Sequence, residues 1–372
     1  MKGEHPHKLV FFVGTDAELI KLFPILLKIT DLGLDYKLVC SGQNDLNHSY
    51  ILNQIVKKPI DLELSSEDSI VKSARGLLTW FIKTNRITAT AIRNSIAYSK
   101  STVFIVHGDT VSTVMGAIAA KKLGLRLAHV EAGLRSFNWL NPFPEEIDRS
   151  IVSKRANIHF APGDAAMENL KRAGVKGQII NTHNNTLIDS LAIAQTIPCK
   201  NAALEPLIAQ PHSVMVVHRQ ENLNNLKLVR EMVDIACQPS DSACAFIMHE
   251  PTRVTLQAMG LLDKLEACPT VTLLPRVEYC DFMKLLGSSD YVLTDGGSNQ
   301  EELSYMGIPA LILRTHTERQ EGLGKNATLY DGSVDSIKHF LSTYQSMRRN
   351  PVSPEQSPSS IIADSLSKLV EE

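Results

Sequence analysis

Strong net charge, long apolar runs and paired cysteines are all missing from this chain. Its 38 Lys and Arg stand against 40 Asp and Glu, a formal charge of −2. That balance removes the electrostatic footprint of a nucleic-acid binder or an anionic-membrane binder. The apolar run nearest the start, residues 9–13, is too short for a signal peptide, and no run approaches the ~18 residues of a membrane span. Six cysteines (Cys40, Cys199, Cys237, Cys244, Cys268 and Cys280) include no CxxC pair and no His-rich partner segment. They read as reduced thiols of a cytoplasmic protein, with no metal site. Hydrophobic residues at 44% and charged residues at 21% exclude disorder and low complexity.

What is present is an alternation. At roughly 100–200 residues per domain, 372 residues suggest two domains. Short runs that are apolar at consecutive positions fall at 9–13, 36–40, 102–107, 127–130 and 158–161, then at 213–217, 245–248, 271–274, 291–294 and 310–313. Strands covered on both faces look like this. Helical periods lie between them, at 17–29, 111–122, 165–173, 226–235, 280–286 and 300–306. The pattern predicts βαβ units in two series, an α/β chain with two Rossmann-like domains facing across a cleft. Residues 180–212 read as the crossover. The expected division is 1–183, 184–355 and a terminal helix in 356–372, packing back on the first domain.

The predicted strands end in polar residues. One runs into His107, Gly108 and Asp109, another into Glu131, and Glu145 and Glu146 follow shortly after. In the second half the ends carry His218 with Arg219, His249, Asp295 with Gly296, Gly297 and Ser298, and a segment containing Arg319. Glycines before a helix let the backbone approach a phosphate, and the helix N-terminus offers free N–H groups. Arg319 and Arg219 are placed to neutralise a diphosphate, and Glu302 to accept bonds from ribose hydroxyls. Asp109, Glu131 and Glu145 form a carboxylate group in which one member holds a proton while another acts as a base. The alternative for these carboxylates is a structural network with Arg135 and Arg149.

Together the strings HGDT (107–110), HVEAGLRS (129–136), PFPEEIDR (142–149), NNTLID (184–189), HRQEN (218–222), TDGGSNQEE (294–302) and TERQEG (317–322) resemble the UDP-N-acetylglucosamine 2-epimerase family, in particular its non-hydrolysing branch. The resemblance implies a glycosyltransferase B-like architecture. It also implies inversion at C2 of a UDP-N-acetylhexosamine, through elimination of UDP to a 2-acetamidoglucal and re-addition. It implies Asp109, Glu131, Glu145 and His218 as catalytic groups. For UDP it implies Lys21, Arg135, Arg219, His249, Phe282, Gly296, Gly297, Ser298, Glu302 and Arg319. No cofactor or metal is called for, and the partners implied are a UDP-sugar and a second copy in a homodimer. Such sugars feed capsule and lipopolysaccharide synthesis.

The chain departs from the family pattern at three places. Asp16 and Ala17 stand where the family has arginine and proline, Asn44 follows Gly42 and Gln43 in place of histidine, and the serine of the glycine turn has moved to Ser298. Three rivals share these features: a hydrolysing 2-epimerase releasing a free sugar and UDP, a glycosyltransferase, and a UDP-sugar-binding protein without catalysis.

Overall fold

The computed structural model describes residues 7–65, 74–137, 144–238, 242–317 and 319–371. Pro142, Phe143 and Glu318 of the strings above lie outside them. The described chain divides into two compact units. One holds the residues up to Ser190 and those from Pro354 onward; the other is Leu191–Ser353.

The first unit is built on seven parallel strands: β1 (Leu9–Val13), β2 (Tyr36–Cys40), β3 (Leu62–Glu63), β4 (Val103–His107), β5 (Arg126–Val130), β6 (Ile158–Ala161) and β7 (Gln178–Asn181). Their order is β3-β2-β1-β4-β5-β6-β7. Every residue of β1 and β4 is buried, which is why their apolar residues do not alternate. Phe11, Phe12, Phe104 and Phe160 fill the core, each stabilising by about 1.5–3 kcal/mol on burial. The Pro358–Glu371 helix packs on the Asp16–Asp31 helix of the same unit. Asp189 holds its start, accepting from Ser357 Oγ at 2.9 Å and Ser359 N at 2.7 Å, the preferred place for a carboxylate on a helix.

The second unit has six parallel strands: β8 (His212–Val216), β9 (Ala243–Ile247), β10 (Val271–Leu274), β11 (Tyr291–Thr294), β12 (Ala310–Ile312) and β13 (Ala327–Leu329), in the order β10-β9-β8-β11-β12-β13. Phe246 and Phe340 lie fully within its core.

All ten predicted strands form. Three more, β3, β7 and β13, escape the apolar-run criterion because they are short, partly exposed edge strands; β7 begins just before the predicted crossover. The 22-residue Ala74–Ser95 helix is also absent from the predicted set. The Gly297–Met306 helix starts three residues earlier than its apolar period, since glycine and polar residues occupy its first turn. No helix among the described residues is long and apolar enough to cross a membrane.

Candidate active site

Each sheet reverses its winding once, between β1 and β4 in the first and between β8 and β11 in the second. Ligands of such sheets bind beyond the carboxyl ends of the strands at that reversal. Each unit gathers candidate site residues there.

In the first unit, β5 hands the chain to Glu131, which takes the left-handed backbone conformation at φ 65°. That costs a non-glycine residue on the order of 1 kcal/mol and is a feature of functional sites. The buried carboxylate accepts from Lys21 Nζ and Asn185 Nδ2. His107 Nε2 stands 3.6 Å from its other oxygen, beyond hydrogen-bond reach. Burial pushes His107 down to about 3 and His129 down to about 4, so both are neutral at pH 7. His129 Nε2 therefore donates to Gly108 O at 2.7 Å and pins the loop bearing Asp109. Asp109 Oδ2 accepts from Arg149, 2.8 Å from Nε and 2.6 Å from Nη2. Glu18 ties the end of β1 to the same loop, accepting from Gly14 N, Thr15 N and the Thr110 hydroxyl; burial pushes its carboxyl up to about 7. Past Glu131 the chain needs a glycine. Gly133 has φ 90°, and a Cβ there would lie 2.3 Å from Ala166 O.

The Glu145–Ser153 helix completes this cluster, with Glu145, Glu146 and Asp148 in its first turn. Residues three and four apart share a helix face, so Glu145 stands beside Asp148 and Arg149, while Glu146 reaches Arg149 from its other side at 3.8 Å. Glu146 is fully buried and accepts from Arg135 Nε at 2.7 Å, Ser136 N at 3.0 Å and Phe137 N at 3.1 Å. Burial alone would raise its pKa, but these donors hold it below the usual carboxylate range. Arg135 is expected at the nucleotide; here it is engaged by Glu146 and lies over the Phe137 ring. Glu145 keeps Oε2 buried with no hydrogen-bond partner among the described residues. Asp148 is 8% exposed and its Oδ2 is likewise unpartnered among them. Burial, reinforced by the negative charges of Asp109 and Glu145, pushes its carboxyl up to about 7.

In the second unit, Asp295 follows β11 and is fully buried. It accepts from His218 N, Arg219 N at 2.8 Å and Asn222 Nδ2 at 3.1 Å. His218 Nδ1 lies 3.0 Å from Asp295 Oδ1, within ion-pair distance but off the hydrogen-bond angle. The His218 ring stacks on His249 with centroids 4.8 Å apart. Burial, then the neighbouring His218 and Arg276, lower the pKa of His249. At Gly296 a Cβ would sit 2.4 Å from Asn299 Oδ1, so any side chain there would displace Asn299 from its bonds. The Gly296 N–H donates to Thr294 Oγ1, and Asn299 Nδ2 donates to the buried Glu302 at 2.9 Å. Ser298 is exposed on the first turn of that helix, behind Gly297, and Phe282 is half-buried near the start of the Tyr279–Ser288 helix. Arg319 pairs with Glu301. Arg219 stands 3.6 Å from Glu221 and lines a pocket of about 360 Å³ with Asn222, Leu313, Arg314, His316 and Tyr330.

The first unit thus gathers Lys21, Asp109, Glu131 and Glu145, and the second gathers His218, His249, Gly296, Glu302 and Arg319. Asp148, Asn185 and Gln300 stand outside the expected set. Asp148 has a signal, its spacing of three from Glu145. Gln300 is buried; its Nε2 donates to Arg319 O at 3.1 Å and Glu321 O at 3.0 Å, and its Oε1 accepts from Thr317 Oγ1. It is the strut of the 317–321 loop. Gln300→Ala is expected to cost about 1–3 kcal/mol, as buried partners lose their bonds, and to speed limited proteolysis within that loop; unchanged cleavage would contradict the strut role.

A family profile described as UDP-N-acetylglucosamine 2-epimerase matches residues 28–358. The chain is 30% identical over 341 residues to the UDP-N-acetylglucosamine 2-epimerase of Methanocaldococcus jannaschii, spanning 89% of this chain and 90% of that protein. It is 30% identical over 330 residues to the Bacillus subtilis protein of the same name, spanning 85% and 81%. The solved structure of the M. jannaschii UDP-GlcNAc 2-epimerase superimposes with a TM-score of 0.76 at 26% identity, over 97% of this chain and 99% of that one. A structure of the M. jannaschii enzyme in complex with UDP-GlcNAc and UDP gives a TM-score of 0.75 at 25% identity, over 97% and 99%. The expected α/β class with two Rossmann-like sheets of glycosyltransferase B-like type therefore stands. This chain belongs to the UDP-N-acetylglucosamine 2-epimerase family.

Proposed function

We propose that the chain inverts C2 of a UDP-N-acetylhexosamine, UDP-GlcNAc to UDP-ManNAc or a close analogue. A carboxylate takes the C2 proton while the C1–O bond to UDP breaks, giving a 2-acetamidoglucal and UDP. UDP then adds back to C1 as a proton returns to C2 on the opposite face. The C2 proton is weakly acidic, so the departing diphosphate needs its charge stabilised as it leaves. Arg319, the Gly297–Met306 helix start and His218 are assigned to UDP, and Asp109, Glu131 and Glu145 to the proton transfers.

The observation that supports this reading most is Glu131: a buried carboxylate in a left-handed backbone, held by Lys21 and Asn185. A structural ion pair has no need of that backbone.

A proton NMR time course with UDP-GlcNAc in D₂O tests the reading. The expected result is deuterium at C2 and a steady mixture of two UDP-sugars with little free UDP. Accumulating UDP with free sugar would replace it with the hydrolysing reaction. UDP binding without deuterium at C2 would replace it with a sensor.

A further inference from the structure

We propose that Asp148 is a positioning residue of this site: a buried carboxyl beside Asp109 and Glu145 whose uncharged form leaves Arg149 to Asp109. The proposal rests on the reading above, in which Asp109 and Glu145 move protons. Asp148 lies one helical turn beyond Glu145, is 8% exposed, and has an Oδ2 with no partner among the described residues. A carboxylate so placed would lack the donors that stabilise buried charge, whereas the acid form leaves no charge to compensate.

The charged groups around it fit a neutral Asp148. Asp109 comes from the loop after β4, and Glu145 and Arg149 from its own helix. Both close Arg149 contacts go to Asp109, and Glu146 Oε2 lies farther off at 3.8 Å. Glu146 is already supplied by Arg135 and two backbone N–H groups. The Val111–Leu123 helix, packed on this one, has only Lys121 and Lys122 as charged residues, both exposed in its last turn. His107 and His129 are neutral. The pKa of about 7 agrees with this geometry. Ionised Asp148 would add a negative charge beside Asp109 and Glu145, raise their proton affinity and compete for Arg149.

Turnover should therefore fall as pH rises through Asp148's ionisation. The test compares kcat/KM for epimerisation of UDP-GlcNAc in wild type and Asp148→Asn from about pH 6 to about pH 9. The wild-type rate is expected to fall by about tenfold per pH unit on the alkaline side, and the variant's upper limb to shift at least about one unit higher. A merely structural role would scale the whole profile without moving its limb, so parallel profiles overturn the proposal. Asp148→Ser, also uncharged, replaces the amide variant if that one does not fold, and must show the same shift. If the wild type epimerises and the limb does not move, only this proposal fails. If the wild type leaves C2 unexchanged, the functional reading fails and this proposal with it.

Discussion

Glu131→Gln is expected to lower turnover by about 10²–10⁴-fold. The amide matches the carboxylate in shape and keeps an oxygen for Lys21 and Asn185, so the local structure should survive. It cannot take a proton from carbon. It also removes the negative charge paired with Lys21, which is 7% exposed. Breaking a buried pair from one side costs about 3–5 kcal/mol when the remaining charge has no compensation, and the surviving amide contacts should keep the loss near the lower figure. The two effects separate in a double variant. Adding Lys21→Met to Glu131→Gln removes the ammonium left opposite the amide and should recover part of the lost stability in urea unfolding. Turnover should stay lost. If activity returned together with stability, Glu131 would be a structural partner of Lys21 and its catalytic assignment would fall.

The buried sheets were legible because both faces of each central strand are covered, which makes apolar residues consecutive, as in Leu9–Val13 and Val103–His107. The edge strands β3, β7 and β13 were not, because half-exposed strands of two to four residues carry no such run. Carboxylates were legible as a group because they follow strand ends. Their separate tasks were not. Glu145, Glu146 and Asp148 crowd one helical turn, and only the fold shows Glu146 turned to Arg135 and Asp148 enclosed beside Asp109. The departures at Asp16 and Asn44 also acquire a local meaning: the Asn44 side chain accepts from Asp16 N at 3.2 Å, and Asn44 N donates to Gly14 O at 2.8 Å. Two positions 28 residues apart form one corner, which no reading of either stretch alone could show.

Asp295→Ala is expected to destabilise the second unit by about 3–5 kcal/mol, because several half-buried donors lose one fully buried acceptor together. His218 N, Arg219 N and Asn222 Nδ2 all converge on this carboxylate, so the substitution also frees the segment that carries His218. The same arrangement has a pH signature. Burial opposes the charge on Asp295, but His218 and the backbone and Asn222 donors outweigh it and hold its pKa below the usual value of 3.8. A carboxyl with a depressed folded-state pKa binds protons more readily when unfolded. Its contribution to stability is therefore fully present above the unfolded pKa and is lost as pH falls through the folded one. Melting temperature should drop in the acid range for wild type and more shallowly for Asp295→Asn, which has no proton to gain there. The Asn variant should start from a lower plateau at neutral pH, since its NH₂ group faces donors that require an acceptor. Thermal unfolding followed across the acid range distinguishes the two. Equal acid slopes for wild type and Asp295→Asn would show that Asp295 is not the group linking the His218 segment to pH.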